Sequence, residues 1–178
     1  MKTLILNGSP RKNGDTAALL AALRLSGEVE IVDAFQTKVS PCLDCRYCRT
    51  HAGCSIKDGM EELYRKIEES DRIILASPIW FGTLPGPLLT PISRAQTLFS
   101  GRFFRKEPKK QGKKGAVILV GGGSGGAESA LATAKMILRE LGVEGEIPQV
   151  TSLATDRIPA AEDQAALEGL RQIEAYLA

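Results

Sequence analysis

The sequence predicts an α/β fold, a doubly wound five-stranded parallel sheet with helices on both faces. Three observations predict it. Short, near-continuously apolar runs such as Arg72–Ala76 and Ala116–Val120 suit strands buried on both faces. Turn residues follow these strands, and then comes a stretch with helical periodicity, so β-α recurs five times. No repeat, low-complexity segment or linker divides the 178 residues. The chain is therefore expected to form one domain over 1–178, with a cysteine-rich insertion loop at about 36–58.

The first strand is Thr3-Leu4-Ile5-Leu6, ended by Asn7-Gly8-Ser9-Pro10. Asp15 or Thr16 then caps a helix expected to run through Leu19, Leu20 and Leu23 to Gly27. Val29–Val32 is the second strand. Met60, Leu63, Tyr64 and Ile67 repeat at i, i+3, i+4 and i+7, one face of an amphipathic helix. The third strand, from Arg72, stops at Ser77-Pro78. A single helix is expected from near Pro85-Gly86-Pro87 to about Phe99, with Pro91 bending it or delaying its start. The fourth strand leads into a glycine run. Ala130, Ala134, Ile137, Leu138 and Leu141 mark a helix ending at Gly142. A weak fifth strand at about 145–151 precedes a last helix with Ala166, Leu170, Ile173 and Leu177 on one face.

Composition is that of an ordinary globular protein, 43% hydrophobic and 25% charged. A net charge of +2 is too small to argue for nucleic acid or a membrane surface as partner. No apolar run approaches the ~20 residues of a membrane span. The opening Met1–Gly8 has too short an apolar stretch for a signal peptide, so a cytoplasmic location is expected.

In a parallel sheet all strands end on one edge, and ligands bind just beyond it. Four segments leave strand ends there: 8–16, 35–58, 77–86 and 121–126. They hold nearly all the unusual chemistry of the sequence. Segment 8–16 lies between a strand and a helix N-terminus, where backbone N–H groups cradle phosphate. Arg11 adds a forked donor, and Ser9, Asn13 and Thr16 add neutral ones. The P-loop spacing is absent, which disfavours ATP. Segment 77–86 supplies apolar and aromatic walls for a flat ring, with Trp80 the only tryptophan. Gly121–Gly126 satisfies G-x-G-x-x-G, and Glu144 and Glu146 lie near the distance of a dinucleotide motif's acidic partner. The match starts at strand four, however, after a phosphate loop already placed behind strand one. Close backbone approach to a bound ring is the better reading.

The loop from Gly8-Ser9-Pro10-Arg11 to Thr16, joined with Ser77-Pro78-Ile79-Trp80-Phe81-Gly82, resembles the NADPH-dependent FMN reductase group of flavodoxin-like proteins over about residues 2–142. The resemblance implies the strand order 2-1-3-4-5. It implies that Ser9, Arg11, Asn13 and Thr16 hold the FMN phosphate, that Pro78, Ile79, Trp80, Phe81 and Gly82 line the isoalloxazine, and that Gly122 and Gly123 lie beside it. It also suggests a homodimer or homotetramer. One departure stands out. A Lys and an Asp-Arg pair often follow the flavin loop in the family, whereas Leu88–Arg94 keeps only Arg94.

Four cysteines crowd into C-x2-C-x2-C-x5-C: Cys42, Cys45, Cys48 and Cys54. In a reducing compartment this suggests a metal centre or redox thiols rather than disulfides. Four thiolates so close can wrap one iron–sulfur cluster, whereas structural zinc usually separates two pairs by a longer arm. The spacing resembles the iron-sulfur flavoprotein branch of the family, which implies a 4Fe-4S cluster near the FMN. Metal-free redox thiols remain the alternative. His51, the sole histidine, reads as a solvent-facing loop residue.

The expected function is an FMN-dependent NAD(P)H oxidoreductase that passes electrons to a quinone, a flavin or another acceptor. An electron carrier with FMN plus a cluster is one alternative, and a non-catalytic metal- or redox-sensing protein is the other. No side-chain catalyst is expected, because the flavin carries the chemistry. The basic stretch Arg102, Arg105, Lys106, Lys109, Lys110, Lys113 and Lys114 reads as a solvated loop, or else as a lure for the phosphates of NADPH or for an acidic protein.

Overall fold

Five strands form one parallel sheet: β1 (Lys2–Asn7), β2 (Glu28–Asp33), β3 (Arg72–Pro78), β4 (Lys114–Val120) and β5 (Gln149–Ser152). Their order is β2-β1-β3-β4-β5, as expected, and every neighbouring pair is parallel. The computed structural model describes residues 1–108 and 112–178. Lys109 and Lys110 of the basic stretch lie outside the described residues.

Side chains of the central strands alternate between two cores, as strand geometry requires. Leu4, Leu6, Ile73, Leu75, Val117 and Leu119 face one layer, made by α2 (Met60–Glu69), α3 (Gly86–Ser93), α4 (Gln96–Phe103) and α5 (Ala127–Glu140). Ile5, Ile74, Ala76, Ala116 and Ile118 face the other, made by α1 (Asp15–Ala22) and α6 (Gln164–Leu177). The helix faces read from periodicity are the buried ones: Met60, Leu63 and Ile67 on α2, and Ala166, Leu170, Ile173 and Leu177 on α6.

Several boundaries differ from expectation, each for a tertiary reason. The first helix stops at Ala22 rather than Gly27, because the Arg24 N–H is captured by the Glu174 carboxylate of α6 at 2.5 Å. Gly14, not Asp15 or Thr16, occupies its N-cap position; the Asp15 carboxylate instead accepts from the Ala160 N–H at 3.0 Å. The single helix expected over 85–99 is two. Pro91 cannot donate a backbone bond, and tighter bonds from Arg94 to Pro91 and from Ala95 to Ile92 close α3 before α4 begins. β5 starts only at Gln149, since Gly145 takes a positive φ of 65° and Pro148 has no N–H for the ladder. β2 is a sheet edge with Val29 and Ile31 exposed, so it lacks the two-sided burial expected of all strands.

Candidate functional site

The carboxyl ends of the strands bring their trailing loops to one edge, and the winding reverses between β1 and β3. The first loop is tied down at its start. The Gly8 N–H donates to the Ala76 carbonyl at 2.8 Å, and the Ser9 N–H to Asn7 Oδ1 at 3.0 Å. Asn7 in turn donates to Asp33 at the end of β2, at 2.6 Å. Ser9 Oγ accepts the Arg11 N–H at 3.3 Å. Ser9 is buried, and Thr16 is 2% exposed in the first turn of α1. No side chain caps that turn, which leaves its N–H groups for an external anion. Asn13 is exposed, and the exposed Arg11 guanidinium lies 3.7 Å from Asp15 at the loop mouth.

The loop after β3 closes a tight turn. Trp80 and Thr83 exchange backbone bonds of 2.9 and 3.0 Å, and both central residues, Phe81 and Gly82, have positive φ (51° and 73°). That is the signature of a type I′ turn, in which glycine is at ease and phenylalanine is not. Phe81 is 108% exposed at the tip, and Trp80, 42% exposed, meets Phe35 edge-on at 5.8 Å. Pro78 ends β3 at a half-buried position, and the Ile79 N–H donates to the Val120 carbonyl at 2.7 Å. Next to this turn runs the glycine loop. A Cβ on Gly126 would lie 3.5 Å from the Gly82 Cα, so the two loops abut through backbone alone. A Cβ on Gly123 would meet nothing within 4 Å, whereas one on Gly122 would meet the Asp156 carboxylate at 2.6 Å. The absence of a side chain at Gly122 thus makes room for Asp156 of this chain. Glu144 and Glu146 follow α5 at the opposite edge of the sheet, so the dinucleotide-motif reading of the glycine run loses its acidic partner.

The four cysteines line one hollow of about 110 Å³, together with Arg94, Phe99 and Phe104. None is paired. Positive φ at Asp44 (48°) and Arg46 (63°) coils the loop around it. Cys42 Sγ accepts the Asp44 N–H at 3.4 Å, and Cys48 Sγ lies 3.3 Å from Ser100 Oγ on α4. The Ser55 hydroxyl, 3.2 Å from Cys45 Sγ, and the backbone at Tyr47 hold the Cys45 thiol below its ordinary range. Among the described residues, no three His, Cys, Asp or Glu side chains converge as ligands of a single metal ion would. The hollow is several times the ~10–15 Å³ that one water-sized guest needs. Four thiols lining one hollow are a donor set of the kind that either a zinc ion or an iron–sulfur cluster takes. His51 is exposed and stacks on Tyr47 at 4.4 Å, outside the hollow's lining.

Arg94, the remnant of the family pattern, is the anchor of this loop. Its guanidinium pairs with Asp58 at 3.1 Å, and its carbonyl accepts the Tyr64 hydroxyl at 2.7 Å. Burial alone would raise the Asp58 pKa, but the N–H groups of Ser40 and Met60 and the Arg94 charge outweigh it and hold the carboxyl below its usual range. Burial pushes the Tyr64 phenol up to about 12. The described cations of the basic stretch are consumed locally: Arg102 pairs with Glu140 at 2.6 Å, Arg105 with Glu107 and the Cys48 carbonyl, and Lys114 reaches the Tyr176 carbonyl. Phe35, Asp58 and Asp156 carry no motif and were not legible as site residues; Arg94 was legible only as a lone family remnant.

A model of the family described as NADPH-dependent FMN reductase matches residues 1–150. The chain belongs to that family. It is an FMN-dependent oxidoreductase by that membership, with a reduced nicotinamide as the fitting donor. It is 32% identical over 137 residues to an iron-sulfur flavoprotein of Methanocaldococcus jannaschii, covering 74% of this chain and 68% of the relative. Among solved structures it superposes on RosB with a bound riboflavin-phosphate intermediate (TM-score 0.79, 18% identity, 98% of this chain and 76% of that one). It also superposes on an NAD(P)H:quinone oxidoreductase from Methanothermobacter marburgensis (TM-score 0.72, 19% identity, 98% and 93%). At those identities the likeness is one of fold. Among the described residues no helix is long and apolar enough to cross a membrane.

Proposed function

We propose that this chain binds FMN across the loops after β1, β3 and β4 and uses it to pass electrons from NAD(P)H to a quinone, a flavin or another acceptor. The observation that carries the reading is the meeting of the uncapped α1 turn, the Trp80–Thr83 turn and the glycine loop at one edge, with Gly82 against Gly126. When bound, the flavin supplies hydride acceptance and release of electrons singly or in pairs. The protein's part is to hold and orient it. Ser9, Thr16 and the first N–H groups of α1 bind the phosphate, with Arg11 and Asn13 closing the mouth. Pro78, Ile79, Trp80, Phe81 and Gly82 wall one side of the ring, and Gly122 and Gly123 the other. Trp80, braced by Phe35, keeps the ring edge dry while the exposed Phe81 meets the incoming nicotinamide or acceptor.

A 4Fe-4S cluster held by Cys42, Cys45, Cys48 and Cys54 belongs to the same reading, and it would add one-electron storage. The shared hollow supports it, as do relatives named iron-sulfur flavoproteins. The flavin turn and the cysteine loop meet opposite ends of α3, since Pro85 precedes the helix and the Ser93 hydroxyl accepts the Cys42 N–H at 2.9 Å. An eight-residue helix is ~12 Å long, so the two loops meet α3 about one short helix apart. A homodimer or homotetramer is part of the proposal, supported by the exposed Phe99, Phe103 and Phe104 beside the hollow, as is a reducing cytoplasm that keeps the thiols available.

The test is anaerobic. Protein loaded with FMN is mixed with NADPH or NADH, with and without a quinone, and flavin absorbance and nicotinamide oxidation are followed. Bleaching by the nicotinamide and reoxidation by the quinone are expected. A flavin that only a reduced ferredoxin-type protein can bleach would favour the electron carrier instead. A protein that binds no FMN would end the reading.

A further inference from the structure

Arg94 is bound in a way that the flavin loops do not explain. It follows α3, and its side chain is 1% exposed. One terminal guanidinium nitrogen donates to the Ser40 carbonyl at 3.0 Å and to Asp58 Oδ2 at 3.1 Å. The other donates to the Ile56 carbonyl at 3.1 Å and to Asp58 Oδ1 at 3.4 Å. Ser40 lies just before the first cysteine, and Ile56 just after the last. A single planar fork thus joins the two ends of a loop whose only regular structure is a 3-10 turn at Tyr47–Arg49. The middle of the loop has its own anchors, from Thr97 to the Gly53 carbonyl and from Arg105 to the Cys48 carbonyl. At the base the Asp58 carboxylate also accepts the Ser40 N–H at 2.9 Å, and Arg94 adds the two carbonyls, Ser40 and Ile56, to the same junction. The Arg94 Nε has no hydrogen-bond partner although it is buried, and the side chain lines the hollow.

We propose that Arg94 is a positioning residue: its fork, locked by Asp58, clasps the ends of the cysteine loop and keeps Cys42, Cys45, Cys48 and Cys54 facing one hollow. The proposal rests on the cluster reading above for its purpose, but not for its geometry. Lysine cannot substitute. An ammonium preserves the charge beside Asp58 but has no rigid fork to span the Ser40 carbonyl, the Ile56 carbonyl and a carboxylate together. Asp58→Asn keeps the shape and removes the charge that orients the fork.

The experiment compares the full FMN-loaded chain with Arg94→Lys, Arg94→Met and Asp58→Asn. Alkylation of each cysteine is timed by mass spectrometry on iron-free protein. Iron per chain and the visible spectrum are then read after anaerobic reconstitution with ferrous iron and sulfide. In the parent protein the half-buried Cys42, Cys48 and Cys54 react more slowly than the exposed Cys45. In both Arg94 variants those three speed up at least about tenfold, the shift that losing one charge-assisted hydrogen bond gives. Reconstituted iron falls by at least half, and FMN per chain stays as in the parent. Asp58→Asn moves both readings the same way by less, and it carries the test with Arg94→Lys should Arg94→Met fail to fold. Unchanged alkylation in every variant overturns the clasp. So does full rescue by lysine, because charge alone would then suffice. A parent protein that takes up no iron, yet shows Arg94-dependent thiol protection, refutes the cluster and supports the clasp.

Discussion

Gly8 is the point where the phosphate loop leaves the sheet, and adding one methyl there tests how tightly the two cofactor loops are coupled. A Cβ on Gly8 would lie 2.6 Å from Ser77 Oγ, 3.1 Å from Ser77 Cβ and 2.9 Å from Leu88 Cδ2. Neither neighbour can yield easily. Ser77 is fully buried with its hydroxyl donated to the Pro78 carbonyl, and Leu88 is packed in the core. Overpacking of this kind costs about 1–3 kcal/mol. For a chain of this size that lowers the Tm of Gly8→Ala by roughly 2–12 °C. The strain is not only a stability matter. Gly8 is held to Ala76, and Ser9 to Asn7, so relief of the clash displaces the phosphate loop from the flavin loop. FMN affinity, read by quenching of flavin fluorescence, is expected to fall about tenfold if some 1.4 kcal/mol of the strain reaches the loop. Ser77→Gly in the same chain removes the two closest atoms of that neighbour. It should restore at least half of both losses, a coupling that independent sites would not show. A Gly8→Ala protein with parental Tm and FMN affinity refutes the reasoning. So does a second substitution that restores neither.

Three further outcomes follow from the geometry. Phe81→Asn gives the turn the Asn-Gly pair that a type I′ geometry favours, so urea unfolding should show a gain of about 1 kcal/mol while turnover with NADPH falls; a loss of stability would contradict the strain assigned to Phe81. Tyr64 should ionise at about 12 in an ultraviolet titration of the folded protein, and that step should vanish in Tyr64→Phe; because its folded pKa is raised, its stabilising effect is complete below pH ~10 and is lost as pH rises towards that value. Asp58 has a lowered folded pKa, so its contribution is present above its unfolded value near pH ~4 and disappears as the pH falls through the lower folded one. Asp58→Asn should therefore cost about 1–3 kcal/mol at pH 7 and progressively less as the pH is lowered below ~4, by urea unfolding; a cost that does not change with pH would exclude the ion pair as its source.

The central strands were readable because burial on both faces leaves an unbroken apolar run, as in Ile73–Ala76 and Ala116–Val120. The loops after β1 and β3 were readable as one edge of a candidate site because donors and an aromatic cluster sit where the α/β rule places a ligand. What the sequence hid was tertiary. The end of α1 depends on Glu174, far away in the chain, and the break between α3 and α4 carries no glycine to announce it. Arg94 looked like a remnant of a family pattern because its partners, Ser40, Ile56 and Asp58, lie on another segment. The reason for Gly122 was hidden too, since it depends on Asp156 arriving from beyond β5. The basic stretch read as a solvated loop or else as a lure for phosphates, and its sequence could not show that described members such as Arg102, Arg105 and Lys114 reach carbonyls and carboxylates nearby.

Comparing FMN with riboflavin tests the proposed site most directly, because the two differ only in the phosphate that the proposal assigns to the loop after β1. Titrated by fluorescence into flavin-free protein, FMN should bind once per chain and at least about a hundredfold more tightly than riboflavin, the worth of two charge-assisted hydrogen bonds at the α1 terminus. Equal affinity for the two, or a preference for riboflavin, would mean that residues 8–16 grip no phosphate.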